Sequence, residues 1–185
     1  AEVAPDQAST VTPCGLIACA IVQALHEHKV LHAAFDPGSN TVHRYRAVHL
    51  GIAVDTPRGL LVPVVHDADR LEALGFLAEV GRLVQAARSG TLAPAELVGS
   101  TCSVSNFGAF GLDDGWSLLN PPEAAIVGVG SIRERAVAVD GALAVRTTAK
   151  LTCTFDHRVA DGADVGGFLG VLAQLIEAPE GLRHG

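Results

Sequence analysis

The 185-residue sequence predicts a mixed α and β fold. Two periodicities carry the prediction. Some stretches place apolar residues at three- and four-residue steps, as one helix face does, and shorter β-branched runs alternate apolar with polar, as strands do. Turn signals at Pro57-Arg58-Gly59, Ser89-Gly90 and Asp140-Gly141 separate them. Strands and helices alternate irregularly, with no internal repeat and no interdomain linker, so one domain over residues 1–185 is expected.

Residues Ala1 to Pro13 are small and polar and read as a loose lead-in. A helix follows from Cys14 to His28, with Leu16, Ile17, Ala20, Ile21, Ala24 and Leu25 on its apolar face. The stretch from Val42 to Val65 is rich in β-branched residues and broken at Thr56-Pro57-Arg58-Gly59, which predicts strands joined by a tight turn. Leu71, Leu74, Leu77, Val80, Leu83, Val84 and Ala87 mark a second helix, closed by Ser89-Gly90. Pro94 suits the first turn of a short helix through Leu97. A strand at Thr101 to Ser105, a glycine-rich turn from Asn106 to Gly115, a strand from Ala124 to Gly130 and a hairpin around Asp140-Gly141 come next. Lys150 to Phe155 alternates as a last strand, with Leu151, Cys153 and Phe155 on one side and Thr152 and Thr154 on the other. In the last helix Val165, Phe168, Leu169, Leu172, Leu175 and Ile176 share a face, Asp164 is placed to cap the start, and Pro179 follows the end.

Composition excludes several functions. Thirteen Lys plus Arg against twenty Asp plus Glu give a formal charge of −7, so nucleic acid is not an expected partner, because phosphate neutralisation needs clustered cations. Apolar stretches are too short and interrupted to cross a membrane, and the amino end has no signal-peptide pattern. The chain contains no methionine, even at its start, and is expected to be a piece of a longer protein. Cys14, Cys19, Cys102 and Cys153 lie in apolar surroundings without a C-x-x-C pair and read as reduced, buried thiols of an intracellular protein. His26, His28 and His32 lack a zinc-motif order and read as surface histidines, so no metal is expected. Neither GVGSI nor GAFGLDDG matches a nucleotide-binding loop.

One segment is different. In FDHRVADGADVGGFL, Phe155 to Leu169, a charged cluster of Asp156, His157, Arg158 and Asp161 interrupts an apolar stretch at the join between a strand and a helix. Such a cluster is tolerated only with partners, either as an ion-pair network or as a site. A strand end is also a rigid place from which to present a reactive side chain.

FDHRVADG resembles the D-H-R-x-x-D-G signature of the catalytic domain of dihydrolipoamide acyltransferases, the E2 components of 2-oxo acid dehydrogenase complexes. These are relatives of chloramphenicol acetyltransferase. VHLGIAVDTPRGLLVPVVHDADR, GTLAPAELVGSTCSVSNFGAFG and NPPEAAIVGVGSI are similar to segments of the same family in the same order, so the resemblance runs from about Val11 to Glu180. It implies a chloramphenicol acetyltransferase-like α/β fold, an α+β two-layer sandwich with a mixed sheet packed against helices. It also implies that His157 is the general base, that Ser105 stabilises the oxyanion and that Asp161 orders the loop and the imidazole. Trp116 and Asn106 are the implied substrate-binding residues.

The chemistry suits those side chains. A thiol like that of coenzyme A, with a pKa of about 8.5, is only a few per cent thiolate at neutral pH. A neutral imidazole can take its proton as sulfur attacks a thioester carbonyl, and a hydroxyl aimed at the resulting oxyanion stabilises the tetrahedral species.

The resemblance further implies coenzyme A as a substrate and a lipoyl group supplied by a separate domain. Neither Lys29 nor Lys150 has the hairpin-tip context of a lipoyl-lysine. It implies a homotrimer whose sites form between subunits, assembled into a larger cubic or dodecahedral core that engages lipoyl domains and the E1 and E3 components, in the bacterial cytoplasm or the mitochondrial matrix. Family domains begin with a further strand and helix whose arginine pairs with the aspartate matched by Asp161, and the first ten residues here do not supply it. Two other readings are a chloramphenicol acetyltransferase-like O- or N-acyltransferase and a non-catalytic scaffold. SNFGAFG and NPPEAAI favour the lipoyl branch over the first, and retention of His157, Asp161 and Ser105 speaks against the second. The context of both signatures leans towards a branched-chain acyl group.

Overall fold

In a computed structural model of the chain, residues 12–179 and 182 are described. Most of the expected lead-in lies outside them, but its last residue is already helical. Helix α1 spans Pro13–Glu27, with the Thr12 hydroxyl accepting the Gly15 N–H at 3.0 Å and proline in the first turn. Strands β1 (Ala33–Asp36) and β2 (Thr41–Arg44) form an antiparallel pair. Then come β3 (Leu50–Ile52), β4 (Val54–Thr56), β5 (Gly59–Leu61) and β6 (Val64–Val65). The expected turn joins β4 to β5, and Gly59 supplies its positive φ of 107°.

Helix α2 covers Ala73–Ser89 and ends on Gly90 in the left-handed region. A short 3-10 turn at Pro94–Leu97 leads to β7 (Cys102–Asn106), and another at Phe107–Phe110 follows it. Strand β8 is Ala125–Val129, β9 (Arg133–Val139) and β10 (Ala142–Thr148) form a hairpin, β11 is Leu151–Phe155, and α3 is Gly162–Glu177.

The central sheet has five strands in the order β11-β8-β7-β3-β6. It is mixed: β3, β7 and β8 run parallel, while β11 and β6 are antiparallel edges. Alternation sends Leu50, Ile52, Cys102, Val104, Ala125, Val127 and Val129 into one core with residues of all three helices, and Leu151, Cys153 and Phe155 pack against it as expected. Helix α1 is buried along most of its length, and Gly15 lets it approach α2 where a Cβ would meet the Leu77 side chain at 2.6 Å.

Three expectations need correction, and one element is new. The start of α3 is capped by Asp161 rather than Asp164; Asp164 is the reciprocating residue, its carboxylate accepting the Asp161 N–H at 3.0 Å. The cysteines are all free, but only Cys19 and Cys102 are buried, while Cys14 and Cys153 are half-buried. His32 is not a surface histidine: it is 1% exposed, and burial holds its imidazole below the usual range. The β1–β2 pair was not anticipated as such, because Ala33–Asp36 shows no alternation.

Candidate active site

Strand β11 ends at Phe155, and the chain turns sharply at once. The Asp156 carbonyl accepts the N–H groups of Val159 at 2.9 Å and Ala160 at 3.1 Å, and its carboxylate accepts the Arg158 N–H at 3.0 Å. This turn leaves His157 exposed, its ring beside that of Phe155 with centroids 5.4 Å apart. Among the described residues nothing hydrogen-bonds the imidazole nitrogens, which leaves them free of a competing partner, as a proton acceptor requires.

Asp161 begins α3. Its Oδ1 accepts the Ala163 N–H at 2.8 Å and the Asp164 N–H at 3.0 Å. These two bonds, Asp164's first, hold its carboxyl below the usual carboxylate range, with a smaller contribution from the nearby His157. Among the described residues it forms no ion pair with an arginine or lysine, and its structural task is to fix the helix that closes the His157 loop.

Ser105 lies near the end of β7, half-buried, paired with Gly128 of β8. Because Val104 enters the core, alternation turns Ser105 to the opposite sheet face. Asn106 caps the following 3-10 turn through a 3.2 Å bond from the Ala109 N–H. Trp116, further along the same loop, is 84% exposed. That loop is pinned to the sheet. A Cβ on Gly108 would overlap the backbone of Gly130 and Ser131, and the Thr152 hydroxyl donates to the Gly115 carbonyl at 3.1 Å. Asp113 accepts from Ser131, Arg133 and Arg135, which pull its pKa down to about 2.

The strand register decides how these groups can meet. Ser105 pairs with Gly128 and Phe155 with Ala125, on opposite flanks of β8 and toward its opposite ends. From strand geometry that separates Phe155 from Ser105 by roughly 10 Å along the sheet and roughly 10 Å across it, and His157 lies beyond. A base acts within about 3.2 Å of its proton. One chain therefore does not focus His157 and Ser105 on the same atoms.

Sequence reasoning missed Glu123. It is 3% exposed, and its Oε1 accepts from Ser103 Oγ at 2.9 Å, Asn120 Nδ2 at 2.9 Å and Ser100 Oγ, while Oε2 has no partner among the described residues. Burial raises its pKa above the usual value. The only sequence signal is a charge inside the apolar run NPPEAAIVGVG. No cluster of three metal-ligating side chains occurs among the described residues.

The chain matches the family model described as 2-oxoacid dehydrogenases acyltransferase (catalytic domain) over residues 1–183. It is 42% identical to the lipoamide acyltransferase component of the branched-chain alpha-keto acid dehydrogenase complex of Pseudomonas aeruginosa, over 86% of this chain and 37% of that protein. It is 36% identical to the dihydrolipoyllysine-residue acetyltransferase component of the pyruvate dehydrogenase complex of Bacillus subtilis, over 97% of this chain and 40% of that one. The chain thus spans about two fifths of these relatives, 37% and 40%.

Among solved structures, it superposes on the dihydrolipoamide acetyltransferase of Azotobacter vinelandii with a TM-score of 0.83 and 34% identity, covering 92% of this chain and 69% of that one. The study of that enzyme concerns the role of a serine, a histidine and an asparagine in its catalytic mechanism, the histidine 52 residues after the serine and the asparagine four further on. Ser105, His157 and Asp161 have the same separations. A chloramphenicol acetyltransferase superposes at 0.55 with 13% identity over 91% of this chain and 79% of that one, which speaks for the fold alone.

Proposed function

The chain belongs to the family of 2-oxoacid dehydrogenase acyltransferase catalytic domains, and from that premise we propose that it moves an acyl group between dihydrolipoamide and coenzyme A. His157 acts as general base on the attacking thiol, Ser105 donates to the oxyanion of the tetrahedral intermediate, and Asp161 holds the loop through its cap on α3. Transfer is direct. The thiol sulfur bonds to the thioester carbonyl carbon as its proton passes to the imidazole, and collapse expels the second thiol, which takes that proton back.

The observation that carries this reading is the coincidence of the Ser105, His157 and Asp161 separations with those of the serine, histidine and asparagine of the Azotobacter enzyme. The separation of Ser105 and His157 in the strand register supports a site formed between copies. His157 of one copy faces Ser105 of the next, in a homotrimer that builds the core of a 2-oxo acid dehydrogenase complex, and the lipoyl group arrives on another domain. Lys150 is engaged by Asp114, which fits its exclusion as a lipoyl carrier. The acyl group assigned is the branched-chain one, supported by the 42% identity to such a component.

The test is transfer from isobutyryl-, acetyl- and succinyl-coenzyme A to free dihydrolipoamide by the assembled protein. Isobutyryl transfer is expected to be fastest, and His157→Ala is expected to lower it by ~10² to 10⁴ without changing the assembly. A His157→Ala protein at wild-type rate would remove the base assignment, and equal rates with all three donors would remove the acyl assignment.

A further inference from the structure

We propose that Asp156, Arg158 and Phe35 form a brace that positions His157, so that Arg158 is a positioning residue for the base and not a contact for substrate. The inference rests on His157 being the base.

Asp156 has every polar atom engaged. Its N–H donates to the Ala124 carbonyl at 2.8 Å, and its carbonyl closes the turn through Val159 and Ala160. Its carboxylate accepts Arg158 Nε at 2.9 Å on Oδ1 and 3.1 Å on Oδ2, Arg158 Nη2 at 2.5 Å on Oδ2, and the Arg158 N–H on Oδ1. The guanidinium carbon sits 4.3 Å from the centroid of the Phe35 ring. Phe35 belongs to β1, which is joined to the same region by the Ala124 N–H donating to the Ala33 carbonyl at 3.0 Å. Three separate pieces of chain, the end of β11, the lead into β8 and β1, thus hold the two residues on either side of His157.

The geometry gives His157 little freedom. A carboxylate gripping the side chain and the backbone two residues on forms a closed Asx-type turn, and the residue between, His157, is exposed. A guanidinium that recognises an anionic substrate presents its fork to solvent, whereas here Nε and Nη2 face Asp156 and one flat face lies on an aromatic ring. Lysine would keep the charge but lose both the two-point grip and the stacking. This also explains why the signature places an acid and a base directly around the histidine: they are partners of one another.

The experiment compares wild type, Arg158→Lys, Phe35→Leu, Phe35→Tyr and His157→Ala as assembled proteins. It measures kcat and KM for acyl-coenzyme A, the melting temperature, and the ring C–H resonances of His157 in ¹³C-histidine-labelled protein, assigned by their loss in His157→Ala. Arg158→Lys and Phe35→Leu are expected to lower kcat by roughly 10- to 100-fold, the scale of a misplaced catalytic group, to shift the His157 resonances, and to leave KM and assembly unchanged. Phe35→Tyr, which keeps the ring face, is expected to behave as wild type. A rise in KM with kcat unchanged would make Arg158 a substrate contact and overturn the brace, as would unshifted resonances in both variants. The resonances are read without turnover. Should His157→Ala prove fully active, the base assignment falls, while the resonances still report whether the ring is held.

Discussion

Glu123 shows how far a single buried charge can be read. Its raised pKa means that the folded protein binds this proton more tightly than the unfolded chain, so stability falls as pH rises from the ordinary carboxylate range through the raised folded value. Glu123→Gln keeps an oxygen for Ser100, Ser103 and Asn120 and has no charge to bury. Its melting temperature is expected to gain on that of wild type as pH is raised from 5 to 8; parallel curves would show that folding does not change the proton occupancy of Glu123 in this range, and so that its pKa is not raised. Asp161 has the opposite sign. Its lowered pKa makes its contribution present at neutral pH and lost as pH falls through the folded value. Asn caps a helix about as well as Asp, so Asp161→Asn is expected to retain the neutral-pH melting temperature and most of the transfer rate, whereas Asp161→Ala loses both. A fully active Asp161→Ala would leave the cap without functional weight. At this scale the cluster of Asp156, His157, Arg158 and Asp161 stood out because charged residues cannot hide in an apolar stretch, whereas Ser105 was singled out by the family resemblance alone. Glu123 and His32 were not legible, because their burial is created by distant segments and leaves no local periodicity.

The elements differ in the same way. The β9–β10 hairpin was readable from Asp140-Gly141 because both residues take positive φ, 51° and 80°, in the two-residue turn such pairs favour. Strand β1 owes its existence to pairing with β2 and to the bridge from Ala34 to Glu123, which its own four residues do not encode. The start of α3 was misplaced by three residues because Asp161 and Asp164 both suit a cap, and only the backbone shows which one accepts and which one reciprocates. The loop after Ser105 depends on contacts too close for any side chain. Gly108→Ala would push a methyl group into the Gly130 and Ser131 backbone, which has no flexible end to yield. A loss of about 1 to 3 kcal/mol, the usual range for overpacking, is expected in denaturant unfolding, together with a slower transfer rate because Ser105 lies in β7 just before the displaced loop. Unchanged stability would mean that the loop is free to move off β8.

For the whole molecule, the decisive fact is that one chain places His157 and Ser105, the two proposed halves of the chemistry, toward opposite ends of its sheet. Large apolar side chains are left uncovered as well: Trp116 at 84% and Leu118 at 89% beyond Ser105, and Leu143 at 85% on the hairpin. A second copy facing the Ser105 loop, as the proposed shared site requires, would cover Trp116 and Leu118 while delivering an imidazole. The consequence separates a shared site from a self-contained one. His157→Ala and Ser105→Ala chains are each expected to be inactive alone. When they are unfolded together, or coexpressed, and assembled at equal amounts, a site that takes its histidine from one copy and its serine from the next is intact in about a quarter of random pairings. Transfer activity should therefore return to about that fraction of wild type, and it should stay absent when the preformed single-variant assemblies are mixed without exchange. No recovery after verified subunit exchange would place both residues at a site within one chain, and the strand register would then have to change to bring them together.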